Sequence, residues 1–312
     1  MTSPPIASSR RALVIGFGSI GQRHARLLGE LGCDTAVLSR RDVDFPQRFA
    51  SLDAALATHR PDYVVVADDT DRHAATLASL AALDFDGDVL VEKPLFKDAT
   101  ALPANRFRTL RVAYNLRFHP VVARLKALLE GEQVLSVQGY VGQYLPDWRP
   151  GTDYRTCYSA SRERGGGVLL DLSHDLDYLC WMLGGWTSVA ALGGHLGPLE
   201  ITSDDAFALL MTTPACPVVS LQLNYLDRAA RRHVVVNTAR HTIVADLIAG
   251  RVTVDRETQD FTTERDGTYR AMHAALLAGD VSVACSAEDG LRTLELIQGA
   301  QRAAAEQRWV TR

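Results

Sequence analysis

The chain has 312 residues, of which 47% are hydrophobic and 22% charged, so it is long enough to form two globular domains with their own cores. Its net charge is -4, so it has no excess of basic residues of the kind that gives affinity for nucleic acid. Its longest uncharged run, residues 178–194, is shorter than a typical membrane span. The five cysteines are scattered without a Cys-x-x-Cys pair, so we expect reduced thiols in the cytoplasm and neither a disulfide framework nor a metal site.

The N-terminal part of the chain has the pattern of a dinucleotide-binding unit. After a Pro- and Ser-rich stretch, residues 1–9, which we expect to be a loose tail, residues 12–15 form the apolar run of a buried strand and residues 22–31 a helical pattern. Between them lies a G-x-G-x-x-G motif, in which the first glycine makes a tight turn, the second lets the backbone approach a pyrophosphate and the third packs helix on strand. The residues expected to bind the phosphates at the helix N-terminus are Gly16, Gly18, Ser19, Ile20 and Gly21.

The residues after the second predicted strand bear on the choice of cofactor. Residues 35–38 form this strand, and Ser39, Arg40 and Arg41 follow it at the distance where an NAD-binding unit places an acid for the ribose 2′-hydroxyl. A serine and two arginines suit a 2′-phosphate better, so NADP(H) is favoured as the cofactor and NAD(H) remains possible. The alternative is that the arginines only begin a solvated loop.

Two further strands, residues 61–67 and 88–91, are each followed by polar residues. Strands that alternate with helices at this spacing predict a parallel, doubly wound sheet, whose ligand binds at the carboxyl ends of the strands. The residues expected to line that crevice after these two strands are Asp68, Thr70, His73, Glu92 and Lys93.

The middle of the chain favours a ligand that carries hydroxyl or phosphate groups. A fifth strand is expected to end at Tyr114, a helix to cover residues 121–129 and a strand residues 134–141, before a segment rich in aromatics and arginine at residues 145–155. Such side chains suit a hydroxyl-rich or phosphorylated ligand, and an ordinary surface loop is the alternative. The residues predicted to bind substrate here are Asn115, Arg117, Trp148, Arg149, Tyr154, Arg155 and Tyr158.

The stretch from Gly165 to Leu183 is the candidate for the chemistry. Three glycines open a helical pattern that has leucines along one side and polar residues along the other. Trp181 and Met182 lie near the polar side, which predicts a largely buried helix, and buried carboxylates beside an imidazole are costly unless they are paired or used. The alternative is an amphipathic helix whose polar side meets water. The residues on the polar side, at spacings i, i+3, i+4 and i+7, are Asp171, His174, Asp175 and Tyr178.

From residue 206 to residue 254 the hydrophobic pattern changes to period two, which predicts an antiparallel sheet with two faces of different polarity. Its second face is either a subunit interface or exposed to solvent, and we expect a homodimer or homotetramer. A terminal helix is predicted from a capping-box pattern at residues 286–289 through residue 305.

Taken together, the ordered motifs resemble one family, the glucose–fructose oxidoreductase / inositol dehydrogenase / MocA-like oxidoreductases. The resemblance covers nearly the whole chain and rests on the glycine motif together with the segments 91–94 (VEKP), 114–120 (YNLRFHP), 165–183 and 287–295. It implies an N-terminal Rossmann domain, then an α/β domain with an open sheet used for oligomerisation. It also implies a lysine in the Glu-Lys-Pro motif, here Lys93, and a second-domain histidine at the reacting carbon.

The chain departs from the family at one point. Members commonly have three residues between the aspartate and the histidine of the glycine-rich segment, whereas Asp171 and His174 have two residues between them. Asp177 keeps the usual spacing to the histidine. His174 is taken as the equivalent residue because an i, i+3 pair still shares a helix face.

We therefore predict an α/β protein with a Rossmann domain at residues 1–116 and a substrate-binding and oligomerisation domain, with a large and mainly antiparallel open sheet, at residues 117–312. The predicted activity is NAD(P)-dependent transfer of a hydride between the nicotinamide and a secondary alcohol or ketone of a sugar, sugar phosphate, nucleotide sugar or cyclitol. His174 is the predicted base because its ordinary pKa is near neutrality, with Asp171 or Asp175 orienting it. Lys93 would polarise the same substrate oxygen, and Glu92 would hold the lysine or the nicotinamide ribose. Asp171, His174 and Lys93 are also predicted to contact the substrate.

Two other functions are open from the sequence. One is a nucleotide-binding regulator or scaffold of the same fold that has lost turnover, although such a protein would need neither the Glu92–Lys93 pair nor His174. The other is a dehydrogenase of a non-sugar substrate such as a dihydrodiol, which the polar segment 148–158 disfavours.

Overall fold

The computed structural model describes residues 10–98 and 100–312, so residue 99 and the predicted tail, residues 1–9, lie outside the described residues. The described chain forms two compact units. The first takes the chain up to Ala113 together with Tyr269–Ala287, and the second consists of Tyr114–Thr268 and Glu288–Arg312. The predicted domains, 1–116 and 117–312, did not include a return of residues 269–287 to the first unit.

The strands fall into two sheets, one in each unit. Along the chain the strands are β1 (Arg11–Ile15), β2 (Asp34–Leu38), β3 (Arg48–Phe49), β4 (Tyr63–Val66), β5 (Asp88–Val91), β6 (Thr109–Val112), β7 (Val134–Gly142), β8 (Ser188–Gly194), β9 (Ala206–Thr212), β10 (Val219–Asn224), β11 (Arg231–Thr238), β12 (Thr242–Asp246), β13 (Arg251–Val254), β14 (Glu257–Asp260), β15 (Cys285–Ser286) and β16 (Val310–Thr311).

The helices that cover these sheets are α1 (Ser19–Glu30), α2 (Leu52–Thr58), α3 (His73–Ala82), α4 (Pro120–Leu129), α5 (Val168–Asp171), α6 (Ser173–Leu183), α7 (Gly267–Leu277) and α8 (Ala287–Glu306). Single 3-10 turns lie at Thr70–Arg72, Asn115–Phe118, Leu145–Asp147, Tyr154–Thr156 and Tyr158–Ala160. In the described part of the chain, no helix combines the length and the apolar character needed to cross a bilayer.

The first sheet is doubly wound, as predicted. Its seven strands have the order β15-β6-β5-β4-β1-β2-β3, and all pair in parallel except β15, which is antiparallel to β6. The central strands are apolar throughout, and Leu13, Val14, Val64 and Val65 are all fully buried. Such continuous apolar strands are typical of a parallel sheet that is covered on both faces. The chain leaves β1 toward β2 and later returns to β4 on the other side of β1, so the topological switch point lies between β1 and β4.

The second sheet is the predicted large, mainly antiparallel sheet. Its nine strands have the order β14-β13-β12-β11-β7-β10-β9-β8-β16, and only the pair β7 and β10 is parallel. Alternation is clear in β9, where Phe207 and Leu209 are buried while Ala208 and Leu210 are exposed. The fold class predicted from the sequence is therefore confirmed for both units.

Helix α6 packs on the buried face of the second sheet over a glycine of β7, Gly139. A Cβ atom on Gly139 of β7 would lie 2.7 Å from Leu221 and 3.5 Å from Leu179 of α6. Glycine at this position therefore lets the helix approach the strand closely.

The single helix predicted from Gly165 to Leu183 is interrupted. Helix α5 ends at Asp171, Leu172 adopts φ -95° and ψ 19°, and α6 begins at Ser173. The expectation that Asp171 and His174 share the face of one continuous helix is therefore wrong, since each belongs to a different helix. The leucine period of the sequence runs through both helices, because Leu169, Leu172 and Leu176 are all buried, and this hides the break.

Candidate active site

The first unit contains a cleft of about 730 Å³ at the carboxyl ends of β1, β2 and β4. A cleft at this edge of a parallel sheet, beside the switch point, is where doubly wound folds bind their ligands. Its volume is within the range of small-molecule and cofactor sites. The residues that line the cleft are Ile15, Gly16, Phe17, Gly18, Leu38, Ser39, Arg40, Arg41, Ala50, Leu52, Asp53, Ala67, Asp68, Asp69, Arg72, Ala75, Thr76, Ser79 and Leu83.

The three glycines of the G-x-G-x-x-G motif each have a distinct geometric reason. Gly16 has φ +92°, and a Cβ atom there would lie 2.5 Å from the carbonyl oxygen of Ala67. A Cβ atom on Gly21 would lie 2.1 Å from the carbonyl oxygen of Gly16, so this glycine permits the packing of helix on loop. A Cβ atom on Gly18 would meet nothing within 4 Å, so the absent side chain leaves room for a ligand rather than for the protein. The loop therefore fits a dinucleotide pyrophosphate.

Helix α1 presents its N-terminus beside this loop. It begins at Ser19, has Gly18 as a cap without a side-chain hydrogen bond, and carries no acidic residue in its first turn. Free backbone N–H groups and the helix dipole together favour an anion at such an end. The predicted residues Ser19, Ile20 and Gly21 form this first turn.

The loop after β2 brings two arginine side chains to the cleft. Ser39 is buried, and its hydroxyl accepts a hydrogen bond from the backbone N–H of Arg41 (3.2 Å) and donates one to the Arg41 carbonyl oxygen (3.0 Å). Arg48 donates to the same carbonyl oxygen at 2.9 Å. The turn is thus held by hydrogen bonds while Arg40 and Arg41 are exposed and line the cleft. Asp53, in the first turn of α2, is an acidic residue on the same cleft that the sequence prediction missed.

Asp68 and His73 follow β4 and have different surroundings. One carboxylate oxygen of Asp68 accepts a hydrogen bond from the Thr76 hydroxyl at 2.6 Å, and burial raises the pKa of Asp68 above its ordinary value. His73 is 1% exposed, and its ring nitrogens lie 3.2 Å from the Asp68 carbonyl oxygen and 3.1 Å from those of Pro94 and Leu95. Asp68 therefore lines the cleft, whereas His73 joins the loops that follow β4 and β5.

Glu92 and Lys93 follow β5 directly. Glu92 is buried, and its Oε2 atom accepts a hydrogen bond from the backbone N–H of Lys93 at 3.1 Å. Its Oε1 atom lies 2.8 Å from Nε2 of His24 in α1. Lys93 is partly exposed and is joined to Pro94 by a cis peptide bond.

In the second unit, Asp171 lies within a cluster of aromatic side chains. The Tyr225 hydroxyl donates a hydrogen bond to its Oδ2 atom at 2.6 Å, and the negative charge of Asp171 holds the pKa of Tyr158 well above its ordinary value. Burial, together with Asp171, also raises the pKa of Tyr225. Both phenols therefore keep their protons beside the carboxylate. Trp148 packs edge-on against the Tyr225 ring at 5.2 Å, and the Arg149 guanidinium lies 5.5 Å from the centre of the Tyr158 ring. The structure thus brings four of the predicted site residues together: Trp148, Arg149, Tyr158 and Asp171.

The other two aspartates of the segment are held by arginines. Asp175 is 1% exposed and accepts hydrogen bonds from the Tyr178 hydroxyl (2.6 Å) and from Arg232 (2.9 Å). Asp177 forms a bidentate pair with Arg117, at 2.9 and 2.7 Å, and both side chains are almost fully buried. Paired in this way, the buried carboxylates avoid the cost of an isolated charge.

His174 is the one residue of Ser173–Cys180 that is not buried. Its ring packs edge-on against the ring of Tyr114, with centres 5.5 Å apart and an interplanar angle of 89°. The Tyr114 hydroxyl donates to Ser173 at 3.3 Å, and Ser173 donates to the Leu170 carbonyl oxygen at 2.8 Å. An imidazole that is partly exposed on an otherwise buried helix is well placed to exchange a proton with a ligand.

The remaining predicted substrate residues are directed elsewhere within the second unit. Asn115 is buried and donates to the Thr268 hydroxyl at 2.6 Å, and Arg117 is 2% exposed in its pair with Asp177. Arg155 pairs at the surface with Asp153 and Glu200, and the Tyr154 hydroxyl accepts from the Glu200 backbone N–H at 3.2 Å. These contacts support structural roles for the four residues, and their predicted substrate contacts stay untested.

Comparisons with known proteins identify one matching family model and several similar solved structures. Residues 122–244 match the family model described as the GFO/IDH/MocA C-terminal domain, and no curated protein sequence matches the chain. Among solved structures, GenD2 from gentamicin A biosynthesis in complex with NAD is 23% identical, with coverage of 100% and 99% of the two chains and a TM-score of 0.79. Levoglucosan dehydrogenase in complex with NADH and L-sorbose is 16% identical over 97% of this chain and 98% of its own, with a TM-score of 0.82. The WlbA dehydrogenase from Bordetella pertussis in complex with NADH and UDP-GlcNAcA is 18% identical over 99% of both chains, with a TM-score of 0.75.

At these identities the structural matches establish the fold. The chain has the two-sheet fold of these solved structures, and residues 122–244 match the GFO/IDH/MocA C-terminal domain model. The family resemblance predicted from the sequence is confirmed.

Proposed function

We propose that the protein is an NAD(P)-dependent oxidoreductase that interconverts a secondary alcohol and a ketone on a sugar, sugar phosphate, nucleotide sugar or cyclitol. The observation that carries the proposal is the glycine loop, because Gly18 leaves open space at the N-terminus of α1 while Gly16 and Gly21 are required by the protein's own packing. The relatives named above were crystallised with NAD or NADH, and two of them with L-sorbose or UDP-GlcNAcA, which supports a sugar-like substrate. A cytoplasmic location, inferred from the scattered cysteines, completes the proposal.

When bound, the nicotinamide accepts or supplies the hydride, and the residues of the chain handle the proton and the charge. His174 takes the proton of the substrate hydroxyl during oxidation and returns it during reduction, which suits an imidazole at neutral pH. Lys93 donates a hydrogen bond to the same oxygen and stabilises the negative charge that develops there. Glu92 fixes the backbone at Lys93 through the hydrogen bond from the Lys93 N–H.

Of the two aspartates proposed to orient His174, the surroundings favour Asp171. Both oxygens of Asp175 are hydrogen-bonded, by Tyr178 and Arg232, and its side chain is almost fully buried. Asp171 instead lies among Trp148, Tyr158 and Tyr225, residues with the mixed aromatic and hydroxyl character that suits a sugar. In this proposal Asp171 orients His174 and contacts the substrate, while Asp175 stabilises the helix.

The cofactor proposed is NADP(H), with NAD(H) as the alternative. Arg40 and Arg41 line the cleft after β2, where an NAD-specific unit has an acid, and a guanidinium binds a phosphate in a geometry that a ribose hydroxyl does not match. We expect Arg40→Ala/Arg41→Ala to raise the Kd of NADPH at least tenfold and to change that of NADH by less than threefold, since each charge-assisted hydrogen bond to a phosphate contributes about 1.5–3 kcal/mol.

Fluorescence titration with both reduced cofactors measures these constants. Arg106→Ala is the matched control, because Arg106 is an exposed arginine of the same unit that pairs with Asp84 and does not line the cleft. Equal affinity of the unmodified protein for NADPH and NADH would contradict the preference. The relatives named above bind NAD or NADH, so the comparison of NADPH with NADH directly tests whether this protein differs from them.

The second sheet is proposed to pair with a second copy of the chain through its open face. Leu192 on β8 and Leu210 on β9 are 71% and 44% exposed, and each lies beside an alanine of the neighbouring strand. Exposed leucines on a regular sheet face favour association of copies. Light scattering should give the mass of a dimer or tetramer, and Leu192→Arg/Leu210→Arg should lower it to that of a monomer without loss of helix or strand signal. A monomeric mass for the unmodified protein at micromolar concentration would contradict the proposal.

A further inference from the structure

Four side chains of the first unit form a continuous chain of hydrogen bonds. Glu92 Oε1 lies 2.8 Å from His24 Nε2, His24 Nδ1 lies 2.7 Å from His273 Nε2, and His273 Nδ1 lies 3.0 Å from the Tyr63 hydroxyl. Each of these residues comes from a different element. His24 lies on α1, just after the glycine loop, Tyr63 begins β4, Glu92 follows β5, and His273 lies on α7 in the segment that returns to this unit.

The four hydrogen-bonded side chains are all shielded from solvent. His24 and His273 are fully buried, Tyr63 is 1% exposed and Glu92 is 7% exposed. The rings pack edge-on, with the two imidazole centres 5.0 Å apart and the Tyr63 and His273 ring centres 5.8 Å apart. Two adjacent buried imidazoles and a buried carboxylate are expensive to retain unless every polar atom is satisfied. The proposed roles of Lys93 and His174 do not account for them.

The chemistry of the four groups fixes where the protons lie. Burial raises the pKa of Tyr63 well above its ordinary value, so its hydroxyl donates and His273 Nδ1 accepts. Burial, with the neighbouring His24, lowers the pKa of His273 well below its ordinary value, so its ring is neutral and carries its hydrogen on Nε2. That hydrogen is donated to His24 Nδ1, which leaves His24 Nε2–H to donate to Glu92. If His273 instead carried its hydrogen on Nδ1 and donated it to Tyr63, the Tyr63 O–H would have no acceptor among the described residues.

We propose that His24 is a positioning residue that holds Glu92 as an oriented carboxylate, and that His273 and Tyr63 act through it by fixing its tautomer. The inference rests on the proposed function, in which Lys93 acts on the substrate oxygen. Glu92 receives His24 Nε2–H on one oxygen and the Lys93 backbone N–H on the other, so its orientation fixes the backbone from which the Lys93 side chain leaves. The pyrophosphate-binding helix and the Glu-Lys-Pro loop are thereby connected through one imidazole.

Other charged or titratable groups also face the chain. The side chain of Lys93 follows Glu92 directly, the Tyr269 ring packs edge-on against His24 at 5.5 Å, and the Arg10 guanidinium lies 5.9 Å from the centre of the Tyr63 ring. Arg23, the residue before His24, lies over the Tyr269 ring at 5.3 Å. Arg10 is itself paired with Asp62 and Asp88, and the negative charge of Asp88 adds to burial in keeping Tyr63 protonated.

The first test needs neither cofactor nor turnover. Long-range proton–nitrogen NMR spectra of the ligand-free protein, labelled with nitrogen-15 in histidine, report which ring nitrogen carries the hydrogen. We expect both His24 and His273 to carry it on Nε2 and His273 to stay neutral well below the pH at which an ordinary imidazole titrates, because burial and the neighbouring His24 hold its pKa well below the ordinary value. His24→Gln and His273→Gln assign the two signals. Hydrogen on Nδ1 of either ring, or titration of His273 near pH 6.5, would overturn the proposal.

The second test is turnover at one fixed neutral pH, with kcat and KM measured separately. In His24→Leu the Glu92 carboxylate loses the donor that holds its Oε1 atom, so the backbone that carries Lys93 is less well oriented. We expect kcat to fall at least about tenfold, which corresponds to about 1.4 kcal/mol, the order of one hydrogen bond to a charged group. Gln offers an N–H in place of His24 Nε2–H, so His24→Gln should restore kcat to within about threefold of the unmodified protein. The KM for the cofactor should change little in both variants.

An unchanged kcat in His24→Leu, or an equal loss of kcat in His24→Leu and His24→Gln, would overturn the positioning role. If His24→Leu does not fold, the tautomers of the unmodified protein and the kcat of His24→Gln still decide, since a more than tenfold loss of kcat in His24→Gln contradicts the proposal. Failure of the proposed function has a different signature. In that case the unmodified protein shows no turnover on any polyol, while the predicted tautomers are still found.

Discussion

Replacement of His174 by alanine should lower kcat by roughly 10² to 10⁴, which is the usual contribution of a positioned general acid or base. The affinity for the reduced cofactor should change less than twofold, because the glycine loop and the β2 loop that line the cofactor cleft belong to the first unit. Steady-state kinetics on the preferred substrate and fluorescence titration of the cofactor separate the two effects.

The matched control is His241→Ala. His241 is 44% exposed at the turn between β11 and β12, where it pairs with Asp255, so its loss should leave kcat within twofold of the unmodified protein. Lys93→Met should also lower turnover, and the double variant should lose less than the sum of the two single losses if both residues serve one proton-transfer step. Near-normal turnover of His174→Ala would assign the base to Lys93 or a tyrosine and leave a structural role for α6.

Replacement of Arg117 by methionine should lower the free energy of unfolding by about 3–5 kcal/mol, because it removes the bidentate hydrogen bonds that pair the buried charge of Asp177. The two side chains form a bidentate pair and are 2% and 1% exposed, and Arg117 also lies 5.0 Å from the Trp181 ring centre and 3.2 Å from Asp289. Urea denaturation followed by circular dichroism measures the loss.

Arg251→Ala is the control for this prediction. Arg251 and Asp260 form an ion pair whose side chains are 52% and 68% exposed, and such surface pairs contribute about 0–1 kcal/mol. A stability of Arg117→Met within about 1 kcal/mol of the unmodified protein, together with a raised KM for the substrate, would contradict the structural role and restore the substrate contact predicted from the sequence.

The Rossmann unit was predictable because its signals are local. An apolar run such as residues 12–15 that leads directly into a glycine motif is typical of a central parallel strand, and the glycine motif has a backbone reason at each of its three positions. The short strand β3 and the helix α2 were missed, because each is too short to show a hydrophobic period. Asp53, which lines the cleft from α2, was missed with them.

Contacts between residues far apart in the sequence were not predictable. His273 follows no recognisable motif, and its partners His24 and Tyr63 are 249 and 210 residues away. Arg117 was predicted to bind substrate because its true partner could not be recognised. That partner, Asp177, is 60 residues later, and a single sequence does not show that the two side chains meet in the interior. The break at Leu172 was hidden by leucines that are buried in both helices.

The central claim, that the chain catalyses redox chemistry on a sugar-like alcohol, is tested most directly by mixing the purified protein with NADP+ or NAD+ and a panel of sugars, sugar phosphates, nucleotide sugars and cyclitols. The absorbance of the reduced nicotinamide is followed for each mixture, with His174→Ala in parallel. We predict that at least one substrate reduces the cofactor, faster with NADP+ than with NAD+, and that His174→Ala binds the cofactor normally but reduces it at least about a hundredfold more slowly. Cofactor binding without reduction by any member of the panel would contradict the claim and favour a nucleotide-binding regulator or scaffold.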